Sequence, residues 1–112
     1  MPIGVQRQRT KGWKMPPNTK SVTRPGIFGN PFKVTPEHDA ATCVQDFKTW
    51  LKTGDVPERT PLGELGALWN RRKDVLKRIP ELRGKNLACF CKIGAACHRD
   101  VLLALANKSY FS

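Results

Sequence analysis

The chain has 112 residues, with 20 Lys and Arg against 9 Asp and Glu, a formal net charge of +11 and 39% hydrophobic residues. That length supports one domain spanning 1–112, since chains of this size bury roughly two-thirds of their unfolded surface, and the apolar content excludes full disorder. No apolar run reaches the ~20 residues that a bilayer span requires, and residues 1–7 hold no apolar leader core, so a cytoplasmic basic domain without a membrane partner is expected.

The charge is unevenly spread. Residues 1–34 carry Arg7, Arg9, Lys11, Lys14, Lys20, Arg24 and Lys33 and no acid, so this segment holds +7 of the net charge. Such an imbalance attracts polyanions, and nucleic acid or a nucleotide phosphate is the expected partner, with Arg7, Arg9, Lys11 and Lys14 as candidate contacts. A solvated basic surface, or one that meets an acidic host protein, would read the same way. Trp13, Phe28 and Phe32 lie among these cations and could stack on bases, although aromatics in a small chain more often fill the core.

In chain order, residues 3–9 alternate as a strand, with Ile3 and Val5 on one face. Residues 11–19 hold Gly12, Pro16, Pro17 and Asn18 and read as an irregular loop. Residues 21–24 are short and β-prone. Pro25 to Phe32 are dense in turn residues yet apolar, so the segment is expected to fold onto the body, its glycines allowing close approach. A first helix follows, with Thr35 as cap and Pro36 at its first position. Ala40, Val44, Phe47 and Leu51 form its stripe, Cys43 and Trp50 flank it, and Gly54 ends it.

Thr60-Pro61 opens a second helical region in which Leu65, Leu68, Trp69, Leu76 and Ile79 share a face that Arg72 interrupts. Its charged side (Arg71, Lys73, Lys77, Arg78) reads as a solvated face. Pro80 stops it, residues 83–85 turn, and residues 86–91 form a buried strand. After a loop over 92–96, Cys97 starts a last helix that packs Val101, Leu102 and Leu105 inward; residues 108–112 are a tail. The order predicts a small α/β domain: a short, mostly parallel sheet flanked by about three helices.

Three of the four cysteines, Cys89, Cys91 and Cys97, fall within nine positions and adjoin His98. In a reducing compartment this clustering favours metal or thiol chemistry over disulfides. Cys89 and Cys91 share a strand face, and the loop returns Cys97 and His98 to the strand's carboxyl end, where open α/β sheets place ligands. A helix N-terminus at Cys97, with His98 and Arg99 beside it, lowers the thiol pKa, and Asp100 could accept from His98 or cap the helix.

Three readings stay open. Cys89, Cys91, Cys97 and His98 have the donors of a Cys3His zinc site, but same-face strand positions lie ~7 Å apart, wider than zinc-bound sulfurs. Alternatively, Cys97 or Cys91 is a nucleophile or polar anchor working with His98 in a metal-free pocket. Or the thiols simply fill the core.

The ordered motifs Gly12-Trp13-Lys14-Met15-Pro16-Pro17-Asn18-Thr19, Arg24-Pro25, Gly29-Asn30-Pro31-Phe32, Leu82-Arg83-Gly84-Lys85-Asn86-Leu87-Ala88-Cys89-Phe90-Cys91 and Cys97-His98-Arg99-Asp100-Val101-Leu102 resemble the domain of unknown function numbered 4326. The resemblance covers residues 5–107 and implies a phage or actinobacterial setting; Phe90 stands where that family more often has Trp. The segment with Cys89, Cys97, His98 and Arg99 is also similar to a second bacterial family of small α/β proteins. That family typically has glutamate at the position of Cys91, which implies a pocket without a four-ligand metal site.

From this reading Gly29-Asn30-Pro31-Phe32 should meet the Cys97-His98 helix end in one pocket for a nucleotide or nucleic acid. Gly29, Asn30 and Cys89 would line it, with Asn30 bonding a base or sugar, and Arg24 and Arg99 would meet phosphate. Cys97, His98, Cys91 and Asp100 would supply any nucleophile and acid–base chemistry, at a sugar or phosphate centre and without a cofactor. The competing classes are a non-catalytic accessory protein that binds DNA or a host protein, and a zinc-binding structural domain.

Overall fold

Three short strands form a fully parallel sheet: β1 (Gly4–Gln6), β2 (Thr19–Ser21) and β3 (Asn86–Cys89), in the order β1-β3-β2. The computed structural model describes residues 2–23, 26–91 and 94–107. Val5 pairs with Ala88 on one side of β3, and Lys20 pairs with Leu87 on the other. Leu87 and Ala88 are fully buried, as expected for a central parallel strand covered on both faces.

The expected strands are present but shorter or shifted. β1 keeps only Gly4–Gln6 of the 3–9 stretch, and Ile3, placed on one face with Val5, lies outside it and is 57% exposed. β2 begins two residues before the β-prone stretch at 21–24. Pairing nevertheless runs on past both strands, with Arg7 N–H donating to Cys89 O at 2.7 Å and Val22 N–H to Ala88 O at 2.9 Å.

The first helix, α1 (Ala40–Thr53), starts later than Thr35 and Pro36 suggested. Thr35 pairs with His38 in a tight turn, and Asp39 is the cap, its Oδ1 accepting from Thr42 N–H at 2.8 Å. That bond holds the Asp39 carboxyl below its usual pKa, because it favours the charged form. The stripe turns accordingly: Cys43, Phe47, Trp50 and Leu51 are buried, whereas Ala40 is exposed. Gly54 ends the helix at φ 86, a left-handed conformation that lets its N–H reach Trp50 O.

The second region is a single helix, α2 (Leu65–Arg78), entered through a 3-10 turn at Leu62–Glu64 and left through another at Ile79–Leu82 that contains Pro80. Its expected apolar face is largely outside the core: Trp69 is 59% exposed, and Val75 is the helix's buried residue. Arginines do part of the docking. Arg72 donates to Trp50 O at 2.7 Å and Leu51 O at 3.1 Å, satisfying carbonyls at the end of α1. Arg71, assigned to the solvated side from sequence, donates to Gly26 O and Gly29 O, each at 2.9 Å, and so holds the turn-rich segment.

The last helix, α3 (His98–Asn107), lies against β3 and β1, α1 packs on α3, and α2 packs on α1. Phe28 and Phe32 belong to the core they were expected to fill. Phe32 and Phe47 both contact Trp50, the former edge-on at 5.7 Å between ring centroids. No helix among the described residues is long and apolar enough to cross a membrane.

Removing the Arg72 fork leaves two carbonyls of α1 to other partners. Arg72→Ala is expected to lower unfolding free energy by about 1.5–3 kcal/mol, measured by urea denaturation at unchanged slope.

Candidate functional site

The carboxyl end of β3 is where the chain's two halves meet. A pocket of about 360 Å³ opens there, lined by Asn30, Phe32, Val34, Ala40, Cys43 and Val44 from one side. Cys89, Phe90, Cys91, Ala96, Cys97 and His98 line the other, and Arg9 and Thr23 complete it. The expected meeting of the Gly29–Phe32 turn with the Cys97-His98 helix end is therefore observed.

Strand geometry explains the thiol positions. β3 stops at Cys89, and the chain bends through Phe90 and Cys91, so the two sulfurs lie 3.8 Å apart. The ~7 Å separation expected of an extended Cys-x-Cys pair does not apply. Cys97, immediately before α3, brings a third sulfur, and all three lie within 4.8 Å of one another. These three residues could hold a metal ion. No disulfide joins the four cysteines, and Cys43, on the opposite wall of the pocket, is a buried residue of α1 whose Sγ donates to Lys33 O at 3.3 Å.

The hydrogen bonding favours a different thiolate from the one the helix N-terminus suggested. The hydrogen bond from the Cys97 thiol draws Cys89 down to about 4, against the opposing effect of burial. The same bond, together with burial, pushes Cys97 up, and burial also raises Cys91. Three crowded thiols do not ionise together, and the hydrogen bond favours the anion on Cys89 over Cys97.

His98 is buried, and its Nε2 lies 2.7 Å from Val22 O. A carbonyl only accepts, so Nε2 carries a proton, and Nδ1 lies 3.8 Å from Cys97 Sγ. The ring also meets Phe47 edge-on at 5.4 Å. His98 is thus absent from the metal-capable group, which departs from the Cys3His alternative in that one ligand. Asp100 neither caps α3 nor accepts from His98; it is exposed, with Oδ1 3.9 Å from Arg99 Nε.

Arg99 does not reach a phosphate position. It is 1% exposed, donates to Cys91 O at 2.9 Å and Val5 O at 3.4 Å, and lies outside the pocket lining. Gly4 makes room for it, since a Cβ there would stand 2.8 Å from Arg99 Nε. Asn30 lines the pocket, but its amide donates to Cys43 O and its Oδ1 accepts from Phe32 N–H, so both ends organise the turn. Gly29 is buried and carries a carbonyl held by Arg71. Arg24 lies outside the described residues.

Of the basic candidates, Arg7 donates to Ser21 Oγ and Thr23 Oγ1, both at 3.1 Å. The Arg7 and Arg9 guanidiniums sit 4.7 and 4.1 Å from the Phe90 ring centroid. Arg9 is exposed and faces the pocket, while Lys11 and Lys14 are exposed and outside it. The sequence reading missed Thr23 and Phe90 as lining residues. An aromatic between two cysteines was the available signal for Phe90; nothing local marks Thr23.

The profile of the domain of unknown function 4326 matches residues 5–108. The chain belongs to that family. No curated protein and no solved structure matches it.

Since the His98 ring bridges Val22 and Phe47 inside the core, His98→Ala is expected to cost about 2–4 kcal/mol of stability, with His98→Gln costing less. Urea unfolding of both variants checks this.

Proposed function

We propose that this member of the family binds a nucleotide-type anion, free or as a unit of a nucleic-acid strand, in the pocket at the carboxyl end of β3. The observation that carries the reading is Arg9, an exposed cation facing a pocket of about 360 Å³ with an aromatic ring, Phe90, beside it. That volume lies within the range of small-molecule sites, and a guanidinium next to an aromatic face suits a phosphate linked to a flat base. The +11 chain supplies the long-range attraction. Thr23 offers a hydroxyl at the wall, and His98 with Cys97 offers a ring nitrogen next to a thiol. Since Nε2 is held by Val22 O, any acid–base work by His98 would use Nδ1.

A second reading, a non-catalytic accessory protein that docks DNA or an acidic host protein, is favoured by Lys11 and Lys14. Both are exposed on the 11–18 loop, away from the pocket lining.

Titration with nucleoside monophosphates and a short single-stranded oligonucleotide separates the two. The pocket reading expects Arg9→Ala to weaken binding about tenfold, the loss of one charge-assisted contact, while Lys11→Ala and Lys14→Ala act weakly. The reverse ranking favours the accessory reading. Oligonucleotide affinity should fall steeply with salt, and an absence of binding at low salt rejects both nucleic-acid forms.

A further inference from the structure

Zinc–thiolate bonds of ~2.3 Å in tetrahedral geometry place neighbouring sulfurs ~3.8 Å apart. Cys89 and Cys91 already stand at 3.8 Å, and no pair among Cys89, Cys91 and Cys97 exceeds 4.8 Å. The widest pair therefore needs to close by only ~1 Å, which side-chain rotation supplies. We propose that these three cysteines bind one zinc ion whose fourth coordination position opens into the pocket.

The backbone around the sulfurs is tied down before any ion arrives. Cys89 O accepts from Arg7 N–H at 2.7 Å, and Cys91 O accepts from Arg99 Nη1 at 2.9 Å. Cys97 sits at the start of α3, where Asp100 N–H donates to its carbonyl at 3.2 Å. Ligands from a strand end, a bend and a helix start thus converge with their main chains held, which limits the entropy lost on binding.

The donor set selects the ion. Thiolates favour zinc and other soft or borderline metals over magnesium and calcium. The cysteines of a cubane iron–sulfur cluster each bind a different iron and so stand well apart, whereas three sulfurs within 4.8 Å of one another suit one metal ion. Three thiolates around a divalent ion leave one net negative charge, and the buried Arg99 guanidinium stands behind Cys91 to offset it.

The fourth position distinguishes this centre from a closed structural one. His98 turns Nε2 to Val22 O, and its Nδ1, although 3.8 Å from Cys97 Sγ, is not in the group of ligand atoms that all lie within 4.8 Å of one another; Asp100 is exposed and outside the pocket lining. The sulfurs share their pocket with Arg9, Phe90 and Ala96, so water or an anion drawn in by Arg9 is the fourth ligand. Three protein ligands and an exchangeable position form the pattern of zinc centres that take substrates or anions. The three-sulfur site rests on sulfur positions, its open position on the pocket around them, and neither depends on the nucleotide reading.

The full chain, purified with reductant and without chelator and then dialysed after addition of equimolar zinc, is expected to retain about one zinc per chain by elemental analysis. Cys91→Ser, at a half-buried position, and Cys97→Ser should each lower zinc affinity at least about tenfold, while Cys43→Ala keeps it. Cobalt substitution should give the intense visible bands of a tetrahedral ion and thiolate charge-transfer absorption, both moved by cyanide or inorganic phosphate. A wild-type chain with four reduced thiols and no retained metal overturns the site. Cobalt bands unmoved by either probe, or metal lost in His98→Gln, overturn the open position. Nucleotide titration of the metal-free and zinc-loaded chains reports on the pocket reading separately.

Discussion

Because β3 has only four residues and pairs on both edges with three-residue strands, the sheet on which α3 rests, and through it α1 and α2, is held by a short backbone. Its sheet bonds are too few to fix the loops that cross its carboxyl end. Side chains that bond to carbonyls supply what the sheet lacks. His98 holds the end of β2 through Val22 O, Arg99 joins Val5 O to Cys91 O, and Asn30 pins the turn to α1 through Cys43 O. The His98–Val22 and Arg99–Val5 bonds join stretches 76 and 94 positions apart, while Asn30–Cys43 and Arg99–Cys91 close shorter loops that end on pocket-lining residues.

The same economy explains why so many residues with chemical potential serve the scaffold. A guanidinium can satisfy two carbonyls at once and keep its charge when buried. Arg71, Arg72 and Arg99 all work in this way. A basic chain of this size therefore spends part of its positive charge on internal clamps. Arg9 is a cation facing outward at the pocket, while Arg7 is drawn into the β2 hydroxyls.

Much of the architecture was legible in the sequence because it depends on periodicity and punctuation. Alternation marked β1, the apolar run marked β3, and Gly54 marked the end of α1. The convergence of the Gly29–Phe32 turn with Cys97 and His98 was legible as well, because a turn-rich apolar segment must pack somewhere and a parallel strand delivers its ligands at the carboxyl end. What escaped was set by single bonds between distant residues. Asp39 displaced Thr35 as cap because the 35–38 turn closes on itself. Arg99 looked like a phosphate ligand because its sequence neighbours are the thiol and imidazole, whereas the space left by Gly4 draws it into the interior. The sulfur cluster hinged on one more residue of strand: had β3 continued through Cys91, the pair would have been held apart.

The opposite end of the sheet has a different character. There Asn18 Nδ2 donates to Gly84 O, Asn86 N–H to Asn18 O, Gly84 N–H to Asn107 Oδ1, and Arg83 Nε to Ala106 O. This amide latch joins the strand entrances to the finish of α3 and contains none of the residues that line the cavity. The molecule thus has a mechanical pole and a chemical pole. A reporter or affinity handle inserted at the 83–85 turn would strain the latch while leaving the thiol end physically unobstructed.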